Sequence, residues 1–400
     1  DAPERTVAHV LRTPTRIAVA AMALLAFQGP AHGQGFPLDP GRGGIPTLAP
    51  ILDEVTAGVV NIATSTTVQV APNPLLEDPF FRRFFGVLEE WLEREVQSAG
   101  SGVIVDAANG YVLTNYHVIE RADRISVTLQ DHRQLEAVLV GADEATDVAL
   151  LQIPSGGLTA VPFGTSRRVR VGDFVVAIGN PFGIGQTVTS GIVSALGRGG
   201  LNIRGFEDFI QTNASINPGN SGGALIDLNG ELIGISTAII GPTGGNVGIG
   251  FAVPVDMVRA VMDQLIRYGE VRRGRLGADL ADLAPGEANA RGLPGATGAV
   301  VTRIEPGGAA EAAGLRSGDA ITGFNGEDVR EARDLRNRVG LVPVGETVRL
   351  SGLRDGGRFD ATLTIAEDRG AAAYGADVAP GLAGAVLADI DPANPVEGST

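Results

Sequence analysis

Gly102-Val103-Ile104-Val105, then Asn109-Gly110, then Tyr111-Val112-Leu113-Thr114: two short apolar runs are joined across an Asn-Gly pair. Asn-Gly accepts the positive φ angles of a tight hairpin turn, so the stretch reads as two antiparallel strands. Asn229-Gly230 repeats the signal between Ala224–Asp227 and Leu232–Ser236. Further short runs lie at Ile125–Leu129, Leu135–Gly141, Val148–Ile153, Phe174–Ile178, Thr187–Ala195 and Gly248–Val253. So many short, turn-marked strands between Ser101 and Val253 predict a mainly β barrel or sandwich. Val258, Val261, Met262 and Leu265 then recur at helical spacing ahead of Gly269, which predicts a helix over Val255–Tyr268 closing this first domain. Upstream, Leu48–Thr64 predicts a short helix feeding a strand. Pro79–Val96 holds Phe80, Phe81, Phe84, Phe85 and the sole tryptophan, Trp91. Phe84, Leu88, Trp91 and Leu92 are helically spaced, and two readings fit: a helix covering the core, or an aromatic loop that meets substrate or a neighbouring subunit.

Composition narrows the chemistry. A chain of 400 residues has room for two or three domains at about 100–200 each. Glycine (57) and proline (23) make up a fifth of it, and only 5% is aromatic, which favours strands and turns over long helices. The net charge of −15 argues against nucleic acid as a partner. All 31 basic residues are arginine; without lysine there is no Walker A nucleotide site, pyridoxal Schiff base or kinase chemistry. Without cysteine there is no disulfide, zinc thiolate, iron–sulfur cluster or thiol nucleophile. No metal-ligand spacing occurs either, so neither a metal nor a cofactor is expected.

The N-terminus reads as an export signal. Arg5, Arg12 and Arg16 precede the apolar run Ile17–Phe27, and Ala31 and Gly33 stand at −3 and −1 of a cut before Gln34. The alternative is an uncleaved inner-membrane anchor, although a membrane span needs about 20 apolar residues. Gln34–Thr47 is Gly/Pro-rich. After the first domain, Arg272–Arg275 forms a basic, Gly-containing joint to a second unit of roughly 90 residues. That unit carries a predicted strand at Ala299–Ile304, a helical turn at Ala309–Ala313, a helix at Glu331–Val339 and strands at Thr347–Leu350 and Ala361–Ile365.

Asn217-Pro218-Gly219-Asn220-Ser221-Gly222-Gly223 is poor strand and poor helix. Its glycines let consecutive backbone N–H groups converge on one point, the geometry an oxyanion hole needs beside a nucleophile. A Gly-rich turn of no chemical consequence would look the same in isolation. A serine nucleophile needs a base. The histidines are His9, His32, His117 and His132. His9 and His32 fall in the signal, and His132 occupies a polar hairpin tip. His117, at the end of a strand in Thr114-Asn115-Tyr116-His117-Val118, is the better base. Asp147, directly before Val148-Ala149-Leu150-Leu151, fits the orienting carboxylate better than Asp143 or Glu144 further out in the turn. The order His117…Asp147…Ser221 is one known for Ser-His-Asp catalysis on a β scaffold.

These pieces resemble the HtrA/Deg family of serine proteases. The matching motifs are Ser101–Val105, Thr114–Val118, Thr146–Leu150, Gly179-Asn180-Pro181-Phe182-Gly183, and the run from Leu201-Asn202-Ile203 through Phe209–Ala214 to Gly219–Leu225. They span roughly residues 48–366. The resemblance implies a chymotrypsin-like double β-barrel over 34–271, a PDZ domain over 272–367, and a linker over 368–400 leading towards a second PDZ domain. His117 is then base and acid, Asp147 orients it, and Ser221 attacks the carbonyl. The N–H groups of Gly219 and Ser221, with Asn220 between them, form the oxyanion hole. Asparagine at 220 cannot pair with a new N-terminus, so activation is expected to proceed without cleavage, by ordering of loops such as Phe80–Phe85 and Arg198–Glu207. Tyr116 and Asn213 depart from the family's usual residues.

Arg275-Leu276-Gly277-Ala278 resembles a PDZ carboxylate-binding loop, with Leu276 and Ala278 shaping an apolar pocket. The implied protein is an exported, periplasmic, ATP-independent endopeptidase acting on unfolded or damaged proteins. It would assemble as a homotrimer or a multiple of one and respond to C-terminal peptides at the PDZ domain. A chaperone or peptide sensor with an idle protease site, and an acyl hydrolase of small esters, are the competing readings.

Overall fold

In the computed structural model the described residues are 38–39, 45–70, 92–181, 185–200, 205–217, 219–239, 248–292, 295–367, 373–374 and 386–387. The signal segment 1–33, the aromatic cluster Phe80–Phe85, Leu201–Ile203 and nearly all of 368–400 lie outside them. The chain divides into Asp1–Pro50 and Ile51–Thr400. In the first unit Leu38–Asp39 pairs antiparallel with Ile45–Pro46.

The second unit begins with alternating apolar residues that close into a barrel. Its strands are β1 (Val59–Val70), β2 (Leu92–Asp106), β3 (Tyr111–Thr114), β4 (Arg124–Thr128), β5 (Gln134–Asp143) and β6 (Val148–Gln152), in the closed order β1-β2-β3-β6-β5-β4. Val60, Ile62, Ile104, Val112, Val127, Ala149 and Leu151 fill the interior. Val59, Val103, Leu113, Val148 and Leu150, one residue out of phase, are just as buried, so these strands have two covered faces. β1 and β2 pair from Val59↔Val103 to Val70↔Leu92. That ladder makes Leu92–Val96 strand rather than the end of the expected aromatic helix. The rest of that expectation lies outside the described residues.

A second closed barrel follows: β7 (Phe174–Gly179), β8 (Thr187–Arg198), β9 (Phe209–Thr212), β10 (Ala224–Ile226), β11 (Leu232–Ile239) and β12 (Gly250–Pro254), ordered β8-β9-β12-β11-β10-β7. Val175, Ala177, Val193, Ile210, Leu225, Ile233 and Ala252 form its core. β9 was not foreseen from sequence. Its four residues are tied between β8 and β12, where pairing rather than length defines the strand. The helix Val255–Tyr268 has the expected bounds, and Gly269 ends it at φ +76 with its N–H on Leu265 O.

The third sheet is built from β13 (Ala278–Asp282), β14 (Ala299–Ile304), β15 (Ala320–Phe324), β16 (Thr347–Arg354) and β17 (Gly357–Thr364), in that spatial order. The helix Ala332–Leu341 covers a core of Leu276, Val301, Ile321, Leu335, Leu350 and Leu363. Two antiparallel six-stranded barrels followed by this sheet and helix are the chymotrypsin-like double barrel and the PDZ domain.

The Arg272–Arg275 joint is pinned. Arg273 donates to Asp143 Oδ2 at 2.6 Å and stacks on the Phe206 ring at 3.9 Å. Gln264 Nε2 reaches Leu341 O at 3.0 Å, and Asn337 Nδ2 reaches Glu207 O at 3.1 Å. Arg330 bridges Asp208 (2.7 Å) and Asp334 (2.8 Å), linking the second barrel to the PDZ helix. Burial pushes the Asp208 carboxyl above its ordinary 3.8, against the pull of Arg330.

Two outcomes follow from this packing. Gly110, at φ +70, would place a Cβ 2.0 Å from Ile153 O, so Gly110→Ala costs about 1–3 kcal/mol in backbone strain alone. The readout is a fall of several degrees in Tm, and an unchanged melt contradicts the turn assignment. For Asp208 the raised folded value favours the protonated form. Its contribution to stability is therefore present below 3.8 and is lost as pH rises through the folded value. The Tm of wild type relative to Asp208→Asn should accordingly fall as pH rises above about 4, to the variant's advantage. A wild-type Tm that rises relative to the variant with pH contradicts this sign.

Candidate active site

Asp147 occupies the turn between β5 and β6, directly before the buried run Val148–Leu151, at φ +58. That backbone is uncommon outside glycine and costs about 1–3 kcal/mol where surroundings impose it. The surroundings here are explicit. Asp147 O accepts the Tyr116 N–H at 3.2 Å and Asn115 Nδ2 at 2.9 Å, while its own N–H donates to Glu144 O at 3.2 Å. The carboxylate is only 2% exposed. Its Oδ1 accepts the His117 backbone N–H at 3.0 Å, and its Oδ2 lies 2.8 Å from His117 Nδ1. Thr237 Oγ1 donates to Oδ2 at 2.5 Å.

His117 lies not at the strand end but one residue into a helical turn, Tyr116–Ile119, just past β3. The turn carries its ring back over Asp147. Its side chain is 34% exposed, so the imidazole has a buried edge on the carboxylate and an accessible remainder. With Nδ1 as the donor to the carboxylate, Nε2 is left basic and outward. His132, at φ +66 in the exposed turn between β4 and β5, is not in this cluster. Asp143 is not either: it accepts from Thr146 and Arg273.

Ser221 follows a turn in which Gly219 adopts φ +98 and Asn220 N–H donates to Asn217 O at 2.9 Å. Gly222 N–H goes to Ser236 O at 2.8 Å and Gly223 N–H to Asn220 O at 2.9 Å. Among the described residues the N–H groups of Gly219 and Ser221 have no acceptor, so of the three residues of the expected oxyanion hole two present a donor. Pro218 lies outside the described residues. Ser221 Oγ donates to Thr237 O at 3.1 Å rather than to the imidazole. Resting sites often hold such hydroxyls off-line.

The buried Asn220 side chain packs on Gly179, where any Cβ would come within 2.4 Å of its Oδ1. Asn213 accepts the Ile192 N–H at 2.7 Å, and Tyr116 packs on the first barrel's core. Sequence reasoning passed over Thr237. It stands in strand β11, where Leu232–Thr237 are buried, and its only signal was a hydroxyl in a largely apolar run.

In the PDZ domain, Gly277 turns at φ +74 and its carbonyl accepts the Glu305 N–H at 3.0 Å. Arg275 pairs with the Glu305 carboxylate. Leu276 is buried in the domain core and Ala278 packs beside it at the start of β13. Among the described residues β13 is the edge of its sheet, paired with β14 alone. Among the described residues no group of three or more His, Cys, Asp or Glu could hold a metal, and no helix is long and apolar enough to cross a membrane.

Residues 100–235 match the trypsin-like peptidase domain and residues 264–351 the PDZ domain. The chain is 46% identical over 347 residues to the periplasmic pH-dependent serine endoprotease DegQ of Escherichia coli K12, covering 86% of this chain and 76% of that protein. It is 43% identical over 367 residues to the periplasmic serine endoprotease DegP of the same organism, with 86% and 77% covered. Among solved structures it is similar to the HtrA-type protease AlgW with a tripeptide (TM-score 0.61, 39% identity, 80% of this chain and 97% of that one). AlgW with a decapeptide gives a TM-score of 0.59 at 42% identity, covering 80% and 98%.

Thr237→Val keeps the branched shape and deletes the donor to Asp147. A hydrogen bond to a charged group contributes about 1.5–3 kcal/mol, so kcat should fall roughly 10- to 100-fold with KM near wild type. An unchanged kcat in steady-state proteolysis removes Thr237 from the site.

Proposed function

Because the chain belongs to the HtrA family of serine endoproteases, we propose that it degrades unfolded or damaged exported proteins by a Ser221–His117–Asp147 acyl-enzyme mechanism, without ATP. The observation that carries this reading is the buried Asp147 carboxylate on His117 Nδ1, beside a serine flanked by two unengaged N–H groups. Ser221 Oγ rotates off Thr237 O and attacks the scissile carbonyl as its proton passes to His117 Nε2. The oxyanion forms against the N–H groups of Gly219 and Ser221. Collapse returns the proton to the leaving amine and leaves an ester on Ser221. Water then repeats the cycle: its proton goes to Nε2, the carboxylic product leaves, and Ser221 regains its hydrogen. Asp147 stays ionised throughout and stabilises the imidazolium.

Substrate C-termini add to the free edge of β13, beneath the helix Ala332–Leu341, with the turn at Leu276–Gly277 receiving the carboxylate. Arg275 is already committed to Glu305, so backbone N–H groups rather than its guanidinium take that charge. Ligand at this groove regulates turnover. The contact that supports this is Arg273 holding Asp143, four residues before Asp147. Export by residues 1–33, a periplasmic setting, and assembly as a homotrimer or a multiple complete the proposal.

The test is digestion of permanently unfolded casein beside a compact folded protein, with wild type and Ser221→Ala. Wild type should cut casein alone, and the variant should lose roughly three orders of magnitude or more. Turnover surviving in Ser221→Ala overturns the nucleophile. Casein held but uncut by both proteins moves the function to a chaperone.

A further inference from the structure

Ser101 opens the Ser101–Val105 motif on β2, and Asn180 sits in the Gly179–Gly183 motif at the end of β7. The reaction as described uses neither. Ser101 is fully buried, yet all its polar groups are engaged. Its backbone N–H donates to Ser221 O at 2.8 Å, and its carbonyl accepts from Thr114 Oγ1 at 2.8 Å. Its hydroxyl accepts the Asn180 N–H at 2.8 Å and donates to Gly219 O at 2.6 Å. A serine hydroxyl has one proton. With Asn180 N–H occupying a lone pair, that proton is directed at Gly219.

The two carbonyls held by Ser101 belong to Gly219 and Ser221, the same residues whose N–H groups are unengaged. The Gly219–Asn220 peptide plane lies between those two N–H groups. Rotation of that plane would swing them apart, and glycine at φ +98 offers little resistance of its own. The other supports converge on the same plane. Pro181 packs against Gly219 so closely that a Cβ there would lie 2.5 Å from it. Asn61 Nδ2, from the first barrel, donates to Asn180 O at 3.0 Å and to Gly100 O at 3.3 Å, fixing the segment that orients the Ser101 hydroxyl.

We propose that Ser101 is the positioning residue of the oxyanion turn: through its N–H and its hydroxyl, aimed by Asn180, the first barrel sets the two N–H groups of the second. The proposal rests on the reading of Gly219 and Ser221 as the oxyanion donors. Ser101 does not touch the reacting atoms. It acts on the transition state through the turn, so it controls kcat and the affinity for tetrahedral adducts rather than substrate binding.

The experiment compares wild type, Ser101→Ala, Ser101→Cys and Ser221→Ala on labelled casein. Rates are normalised to active sites counted by a fluorophosphonate end-point, and affinity for an aliphatic peptide boronate is measured alongside. Ser101→Ala should lose about 10- to 100-fold in kcat per active site, with KM within about twofold, and a similar factor in boronate affinity. Ser101→Cys, with the same shape and a weaker donor, should fall between the two. Wild-type kcat per site in Ser101→Ala, or boronate affinity unchanged while kcat falls, overturns the proposal. If Ser101→Ala does not fold, Ser101→Cys decides: a several-fold lower kcat at an unchanged Tm supports the role, and wild-type kcat overturns it. Turnover retained by Ser221→Ala overturns the underlying site reading, and the role of Ser101 with it.

Discussion

A carboxylate with 2% exposure is the constraint around which this structure is arranged. Burying an ionised group unpaired is prohibitively costly, so Asp147 must find its donors inside the protein. They come from both barrels: the His117 backbone and ring from the first, and the Thr237 hydroxyl from the second. Neither barrel alone satisfies the charge. Docking the barrels completes the site, while the positive φ of Asp147 is held within the first barrel by the contacts its backbone makes with Tyr116, Asn115 and Glu144.

The same seam governs the nucleophile. Ser221 and its turn belong to the second barrel, but their carbonyls are gripped by Ser101 of the first. Asn220 carries no charge in this turn, and its buried Oδ1 has no hydrogen-bond partner among the described residues. Its side chain is buried against the Gly179 backbone, where an aspartate would put a charge into a space walled by main chain. The PDZ domain attaches to this assembly rather than hanging from a loose joint. Arg273 is stacked on Phe206 and bonded to Asp143, and Phe206 N–H reaches Ala145 O at 2.9 Å. Both contacts land on the turn that carries Asp147.

Much of this was legible in the sequence, for local reasons. Asn109-Gly110 marks its hairpin because the turn requires positive φ at Gly110, and Gly269 stops its helix for the same reason. Asp147 could be preferred over Asp143 because it abuts a run buried on both faces, which gives a carboxylate the depth that orienting a base requires. His117 was identified by elimination, but its helical turn was not, since that turn exists to reach Asp147. Contacts of long sequence separation left no local mark. Asp143 looked like an outlying turn residue because its partner, Arg273, comes 130 positions later. Thr237 was hidden in an apolar strand, and Phe209–Thr212 is a strand only because β8 and β12 flank it. The roles of Ser101 and Asn180 depend on bringing two barrels together.

The most direct test of the account is peptide mapping of the protein after reaction with a fluorophosphonate, in wild type and in His117→Ala. The account predicts one adduct per chain, on Ser221, formed only when His117 is present. An adduct on a different serine, or equal labelling of Ser221 without His117, would contradict the claim that the buried Asp147–His117 pair activates this serine.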